Sequence, residues 1–139
     1  YADTSALVKR YLDEPFSAEF DALLQQNAMA ISRLSVVELR CALARRRRNR
    51  EIDPVRESRI NAELAADIQD GTLRVGSIDD ENFTTAYHLI GRLAELPLRT
   101  LDALHLAAAE QLAVTAFATA DKTQAEAAAA LGFTVHRFY

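Results

Sequence analysis

Four acidic side chains stand where a carboxylate is not simply a solvated surface group: Asp3, Glu38, Asp102 and Asp121. Asp3 closes Tyr1-Ala2-Asp3, which reads as the end of a short strand. Asp121 follows the apolar run 114–119, a second strand end. Glu38 comes just after Ser35-Val36-Val37, where a helix opens. Asp102 falls in the first turn of a helix whose Leu101, Leu104, Leu106, Ala108 and Leu112 are apolar almost all round, the mark of a central helix. Ligands of an open parallel sheet sit at the carboxyl ends of its strands. If the helix starts point to the same rim, four carboxylates converge there. Two carboxylates ~4 Å apart repel by about 4 kcal/mol at an effective dielectric near 20, and a divalent cation relieves that repulsion. Oxygen ligands with a single Cys and no nearby His pair favour Mg²⁺, with Mn²⁺ as the alternative, over zinc. The chemistry is then metal-assisted phosphoester hydrolysis.

Each acid also has a structural reading. Asp3 and Asp121, beside Thr4 and Thr123, can cap helices. Ser35 and Glu38 match a capping box. Asp102 suits the dipole of its helix, with Thr100 as the N-cap. Nothing obliges all four helix starts to carry an acid beside a buried run, and their coincidence favours a site.

The elements that must position these acids follow from periodicity. Helices are predicted over 4–12, 17–26, from Ser35 to the Arg45–Arg48 tract, from Pro54 to near Gly71, from Asp79 or Asp80 to Leu96, from Thr100 onward, and from Lys122 to Leu131. Phe83, Tyr87 and Ile90 form the stripe of the fifth. Short strands are predicted at 1–3, 28–31, 73–78, 114–119 and 133–138. Five strands separated by helices predict an α/β layer structure with a mostly parallel sheet, in one domain spanning residues 1–139.

Half of the residues are hydrophobic and Gly and Pro are scarce, an ordinary globular composition. No apolar run approaches the ~20 residues needed to span a membrane. Cys41 is the single cysteine, so no intrachain disulfide forms and a reducing cytoplasm fits. Its helix makes it a small core residue. Net charge is −4, but residues 33–59 hold nine of the sixteen basic side chains against four acids. Within that arm, Arg45, Arg46, Arg47 and Arg48 are candidates for phosphate-backbone contact, with a solvated helix end as the plain alternative. His105, on an apolar helix, reads as a core histidine.

Asp3-Thr4-Ser5-Ala6-Leu7, Glu38-Leu39, Arg99-Thr100-Leu101-Asp102-Ala103-Leu104-His105-Leu106-Ala107 and Thr119-Ala120-Asp121 together resemble the PIN domain. More narrowly, they resemble the VapC toxins of type II toxin–antitoxin systems. The resemblance covers the whole chain, and the Asp102 segment is its most specific part. It implies a three-layer α/β/α fold with strand order 3-2-1-4-5, a Mg²⁺-dependent endoribonuclease and a cognate VapB-like antitoxin. Asp3, Glu38, Asp102 and Asp121 take the family's acidic positions, with Asp3 and Asp102 as the first metal ligands. Ser5 and Thr119 take its auxiliary hydroxyls.

The alternatives are a catalytically silent PIN-like binding module and a PIN nuclease acting on another nucleic acid. A phosphoacceptor receiver domain is disfavoured, because Ala2-Asp3-Thr4 lacks the adjacent acidic pair that such a site needs. The free protein is expected to be a homodimer. An antitoxin segment is expected along an apolar groove near Leu7, Tyr11 and Phe20, its arginine reaching Asp3 and Asp102.

Overall fold

A computed structural model describes residues 1–139. Its seven helices are α1 (Thr4–Tyr11), α2 (Ser17–Gln26), α3 (Arg33–Arg48), α4 (Pro54–Gln69), α5 (Asp80–Arg92), α6 (Thr100–Gln111) and α7 (Lys122–Ala130). Its strands are β1 (Met29–Ser32), β2 (Leu73–Gly76), β3 (Ala116–Thr119) and β4 (Thr134–Arg137). Side-chain caps set most helix starts. Asp3, Asp53 and Asp121 each accept a backbone N–H from the first turn of α1, α4 and α7. Asp79 and Asn82 cap each other's backbone at α5. Gly132, at φ 91°, lets the chain leave α7 and enter β4.

The strands pair as two parallel ladders. In the first, Met29 lies opposite Leu73 and Ser32 opposite Gly76; in the second, Ala116 faces Thr134 and Thr119 faces Arg137. Tyr1-Ala2-Asp3 runs between the two. The Ala2 N–H donates to the Ala30 carbonyl (2.9 Å), the Asp3 N–H to Ala118 (3.1 Å) and the Ala118 N–H to Tyr1 (2.7 Å). The expected fifth strand is therefore a tripeptide with one parallel bridge, Ala2 to Ala118, too short to extend a ladder.

Alternation along these strands divides the core. Ala2, Ile31, Leu73 and Ala118 pack with α1–α4, whereas Tyr1, Ala30 and Phe117 pack with α5–α7. The molecule is an α/β structure with helices on both faces of its parallel strands. α6 is the most buried helix: every residue from Asp102 to Ala109 is buried. No helix is long and apolar enough to cross a membrane.

Several sequence expectations change. Cys41 is exposed, on the face of α3 that borders a groove with α1, and is no core residue. Phe83, Tyr87 and Ile90 also face outward, and α5 packs on α6 through Ala86 and Leu89 instead. Small residues at that seam let the two backbones approach closely. Leu7, Tyr11 and Phe20 are wholly buried, so they line no groove. α3 opens at Arg33 because Ser32, not Ser35, is its N-cap, and Ser35 completes the capping box. Glu38 therefore belongs to the second turn and caps nothing. The N-cap of α6 is Arg99 rather than Thr100, which places Asp102 at the third helical position, where it accepts the Arg99 N–H.

Candidate active site

Asp3 leaves the central tripeptide and enters α1 fully buried. One oxygen accepts the Ala6 N–H (2.9 Å) and the other the Thr119 hydroxyl (2.6 Å). The Ser5 hydroxyl lies 2.8 and 2.9 Å from the two oxygens and also accepts the Ala120 N–H (2.8 Å). Burial pushes the Asp3 carboxyl above its ordinary range, and the Thr119 hydroxyl offsets part of that rise. Ser5 and Thr119 thus touch the acid they were expected to serve. Thr119 also accepts the Asp121 N–H (2.9 Å), which ties the first strand end to the second acid-bearing one.

Glu38 meets this cluster from α3. Its Oε2 accepts the Thr4 hydroxyl and faces His105 Nε2 at 2.7 Å. The other ring nitrogen, Nδ1, lies 2.7 Å from the Tyr1 hydroxyl, which is 2.9 Å from Ser32 Oγ. Burial works to raise the Glu38 carboxyl, but the bonds to His105 and Thr4 outweigh it and hold the group below its ordinary range. His105 is buried as expected, and it links a core residue, Tyr1, to the acidic Glu38.

Asp102 and Asp121 are joined by a residue that composition and spacing did not single out. The Arg99 guanidinium grips Asp102 through Nε (2.9 Å to Oδ2) and a terminal nitrogen (3.2 Å to Oδ1), and reaches Asp121 at 3.3 Å. The Arg99 backbone N–H also donates to Asp102 (3.0 Å). The two carboxylates raise the guanidinium's pKa, Asp102 most, so it stays charged. Asp121 meanwhile caps α7 by accepting the Gln124 N–H (2.9 Å). The Gln124 side chain, buried between helices, donates to the Asp102 carbonyl (3.1 Å).

Capping and site-building are therefore not alternatives. Asp3, Asp102 and Asp121 each spend one oxygen on a helix start, which fixes where the rest of the carboxylate points. Glu38 and Asp102 line one cleft, together with Arg99, Thr100 and Leu101. No three Asp, Glu, His or Cys side chains stand close enough to close a cage by themselves. The donors are nonetheless oxygens, and a cation, Arg99, already bridges two of them. That arrangement fits a hard divalent ion, which is commonly held by one or two carboxylates with water completing its shell.

The four tract arginines do not act alike. Arg46 pairs with Glu14 and with Glu51 (3.0 Å). Arg47 and Arg40 both pair with the buried Glu57, at 3.1 and 2.9 Å. Arg45 and Arg48 make no ion pair. They line a groove with Thr4, Ser5, Val8, Glu38, Cys41 and Leu101, continuous with the acidic cleft.

A family model described as the PIN domain matches residues 1–130. Comparison with curated proteins gives no match. Among solved structures, VapC20 of Mycobacterium tuberculosis, a sarcin-ricin loop cleaving toxin, superposes with a TM-score of 0.72 at 17% identity, covering 96% of this chain and 95% of that one. FitAcB from Neisseria gonorrhoeae gives 0.73 at 18%, covering 96% and 94%. FitAB bound to an IR36 DNA fragment gives 0.70 at 16%, covering 98% and 92%. At these identities the likeness is one of fold. The family model spans nearly the whole length and includes all four acids, and the chain belongs to the PIN domain family.

Proposed function

We propose that this PIN-domain chain is a divalent-metal-dependent endoribonuclease and the toxin of a toxin–antitoxin pair, acting in the cytoplasm as one domain over residues 1–139. Nucleases are the general occupation of the family, and divalent ions their general cofactor. The observation that carries the reading is the Arg99 guanidinium spanning Asp102 and Asp121 on the cleft that Glu38 shares. Acids from separate elements lie close enough to hold one positive charge among them. The fold likeness to a sarcin-ricin loop cleaving toxin supports RNA as the substrate and toxicity as the role.

In this reading, Asp3 and Asp102 hold Mg²⁺ (or Mn²⁺), with Glu38 and Asp121 completing the acidic set. The bound ion supplies an activated water and stabilises charge on the leaving oxygen. Ser5 and Thr119 orient Asp3, and Thr4 orients Glu38. Arg99, released from part of its grip on Asp102, offers its charge to the scissile phosphate. Arg45 and Arg48 hold the backbone of the strand along α3, where their side chains have no internal partner. Tyr1-Ala2-Asp3 acts as the middle of a five-stranded sheet in the order 3-2-1-4-5.

The partner is a VapB-like antitoxin. With Leu7, Tyr11 and Phe20 buried, its inhibitory segment would use the groove between α1 and α3, where an arginine would meet Glu38 and Asp102. The free protein is a homodimer, for which the outward Phe83–Tyr87–Ile90 face of α5 offers an apolar patch.

Purified protein incubated with total cellular RNA tests the reading. Discrete cut ends should form with Mg²⁺, vanish in excess chelator and fail to form with Asp3→Asn or Asp102→Asn. Full cleavage in chelator, or unchanged cleavage by either variant, overturns it.

A further inference from the structure

We propose that His105 and Tyr1 are positioning residues for Glu38: the Tyr1 hydroxyl, itself anchored on Ser32, holds the His105 ring at Nδ1, and the N–H at Nε2 locks one oxygen of Glu38. The inference rests on the metal-nuclease reading above and extends it to residues outside the acidic set.

The contacts give the geometry. The Tyr1 hydroxyl stands between Ser32 Oγ, 2.9 Å away, and His105 Nδ1, at 2.7 Å, so it holds the ring whichever way its own proton turns. On the far side of the ring, Nε2 faces Glu38 Oε2 at 2.7 Å, and with a carboxylate there Nε2 is the donor. Glu38 therefore receives an N–H from a ring that Tyr1 keeps in place.

This run of hydrogen bonds joins four separate elements: the end of β1, the central tripeptide, α6 and α3. Its middle is rigid. Tyr1 and His105 are 5% and 3% exposed, too buried to change rotamer freely. The Tyr1 ring stacks on Phe117 with centroids 5.4 Å apart and meets the His105 ring edge-on at 5.9 Å. Glu38 itself has a long side chain on an outward-facing turn of α3. Left alone it would sample several rotamers. Oε2 is committed to Thr4 and His105, and no hydrogen bond within the chain uses Oε1. The side chain borders both the cleft and the α3 groove. A carboxylate held in this way is pre-oriented for a metal ion or a metal-bound water. Partners that hold a ligand typically account for 10–100-fold in metal affinity.

The test compares wild type, His105→Leu, His105→Gln and Tyr1→Phe by Mn²⁺ titration followed by electron paramagnetic resonance, with Mg²⁺ competition, alongside kcat and KM on RNA and thermal melting. His105→Leu should weaken Mn²⁺ binding by about 10-fold or more and lower kcat with little change in KM. His105→Gln places an amide N–H where Nε2 stood and should stay close to wild type. Tyr1→Phe, which takes away the partner of Nδ1 and lets the ring shift, should fall between them. A folded His105→Leu that binds Mn²⁺ as wild type does overturns the proposal. So does a His105→Gln as impaired as the leucine variant. Should His105→Leu fail to fold, a folded Tyr1→Phe with wild-type Mn²⁺ affinity overturns it instead. Wild type that binds no Mn²⁺ overturns the metal-nuclease reading and this proposal with it, whereas tight wild-type binding shared by every variant removes this proposal alone.

Discussion

Neutralising the arginine tract two residues at a time should separate substrate binding from stability. Arg45 and Arg48 face the groove that leads from the acidic cleft, and neither has an ion-pair partner. Arg46 and Arg47 are tied to Glu14, Glu51 and Glu57. Each phosphate contact on a single strand contributes about 0.7 to the slope of log affinity against log salt. The double variant Arg45→Gln/Arg48→Gln should therefore flatten the slope by about 1.4, so that between 50 and 200 mM salt wild type loses about sevenfold more affinity than the variant. Its melting temperature should barely move. Arg46→Gln/Arg47→Gln should behave the other way. The pairs it breaks each keep some solvent contact and are worth about 0–1 kcal/mol each, but Glu57 is buried and keeps only Arg40. A loss of about 1–2 kcal/mol, a few degrees in Tm, is expected. Filter binding of RNA to a cleavage-dead Asp102→Asn background at four salt concentrations reads the first effect, and calorimetry reads the second. Equal slope changes from the two doubles would refute the division of the tract.

The Asp3 carboxyl is raised by burial, so the native protein holds its proton more tightly than the unfolded chain does. Stability from this group is greatest below its ordinary value of 3.8 and falls as pH rises through the raised value. In chelator, Asp3→Asn should melt above wild type at pH 7, with the gap closing toward pH 4. The network can accept the amide, since the Thr119 hydroxyl can turn to Gln124, 3.4 Å away. Glu38 has the opposite sign: its stabilising effect is present above its ordinary value of 4.5 and lost as pH falls through the lowered one. Glu38→Gln should thus melt below wild type at pH 7 and converge with it in acid. Asp102→Asn should lower the cleavage rate by about 100-fold or more while circular dichroism stays native. Alkylating the exposed Cys41 with a bulky anionic reagent should weaken RNA binding without shifting Tm, because the thiol sits in the groove beside Arg45.

The sequence was most informative where one residue had to satisfy two demands. Asp3 and Asp121 are legible because a strand end and a helix start coincide at each, and both are N-caps in the fold. The long apolar run around Asp102 marks α6 as central without further help. What escaped notice depends on side-chain direction. Arg99 reads as a flanking surface cation, and its side chain is 73% exposed; only its fold back over its own helix start reveals the contact with two acids. A lone histidine among alanines and leucines gives no hint that its partners are Tyr1 and Glu38, both far away in sequence. On α5 the aromatic stripe outranks Ala86 in hydrophobicity, yet the smaller residue permits the closer helix contact and wins. The arginine tract was partly legible in retrospect. Glu38, Cys41, Arg45 and Arg48 follow helical spacing and share one face, a pattern that a simple count of charge conceals.

The hydrogen bond between Asp3 and Thr119 spans 116 residues of chain. At a synthesis rate of about 5–20 residues per second, roughly 6–23 s separate the translation of the two. Asp3, made before the other three acids of the site, is thus among the last to be placed. A translation product broken off before residue 119 carries Asp3, Glu38 and Asp102, but not the Thr119 hydroxyl that holds the second oxygen of the buried one. The fold itself delays the complete acidic site until the strand that ends at Thr119 has been made.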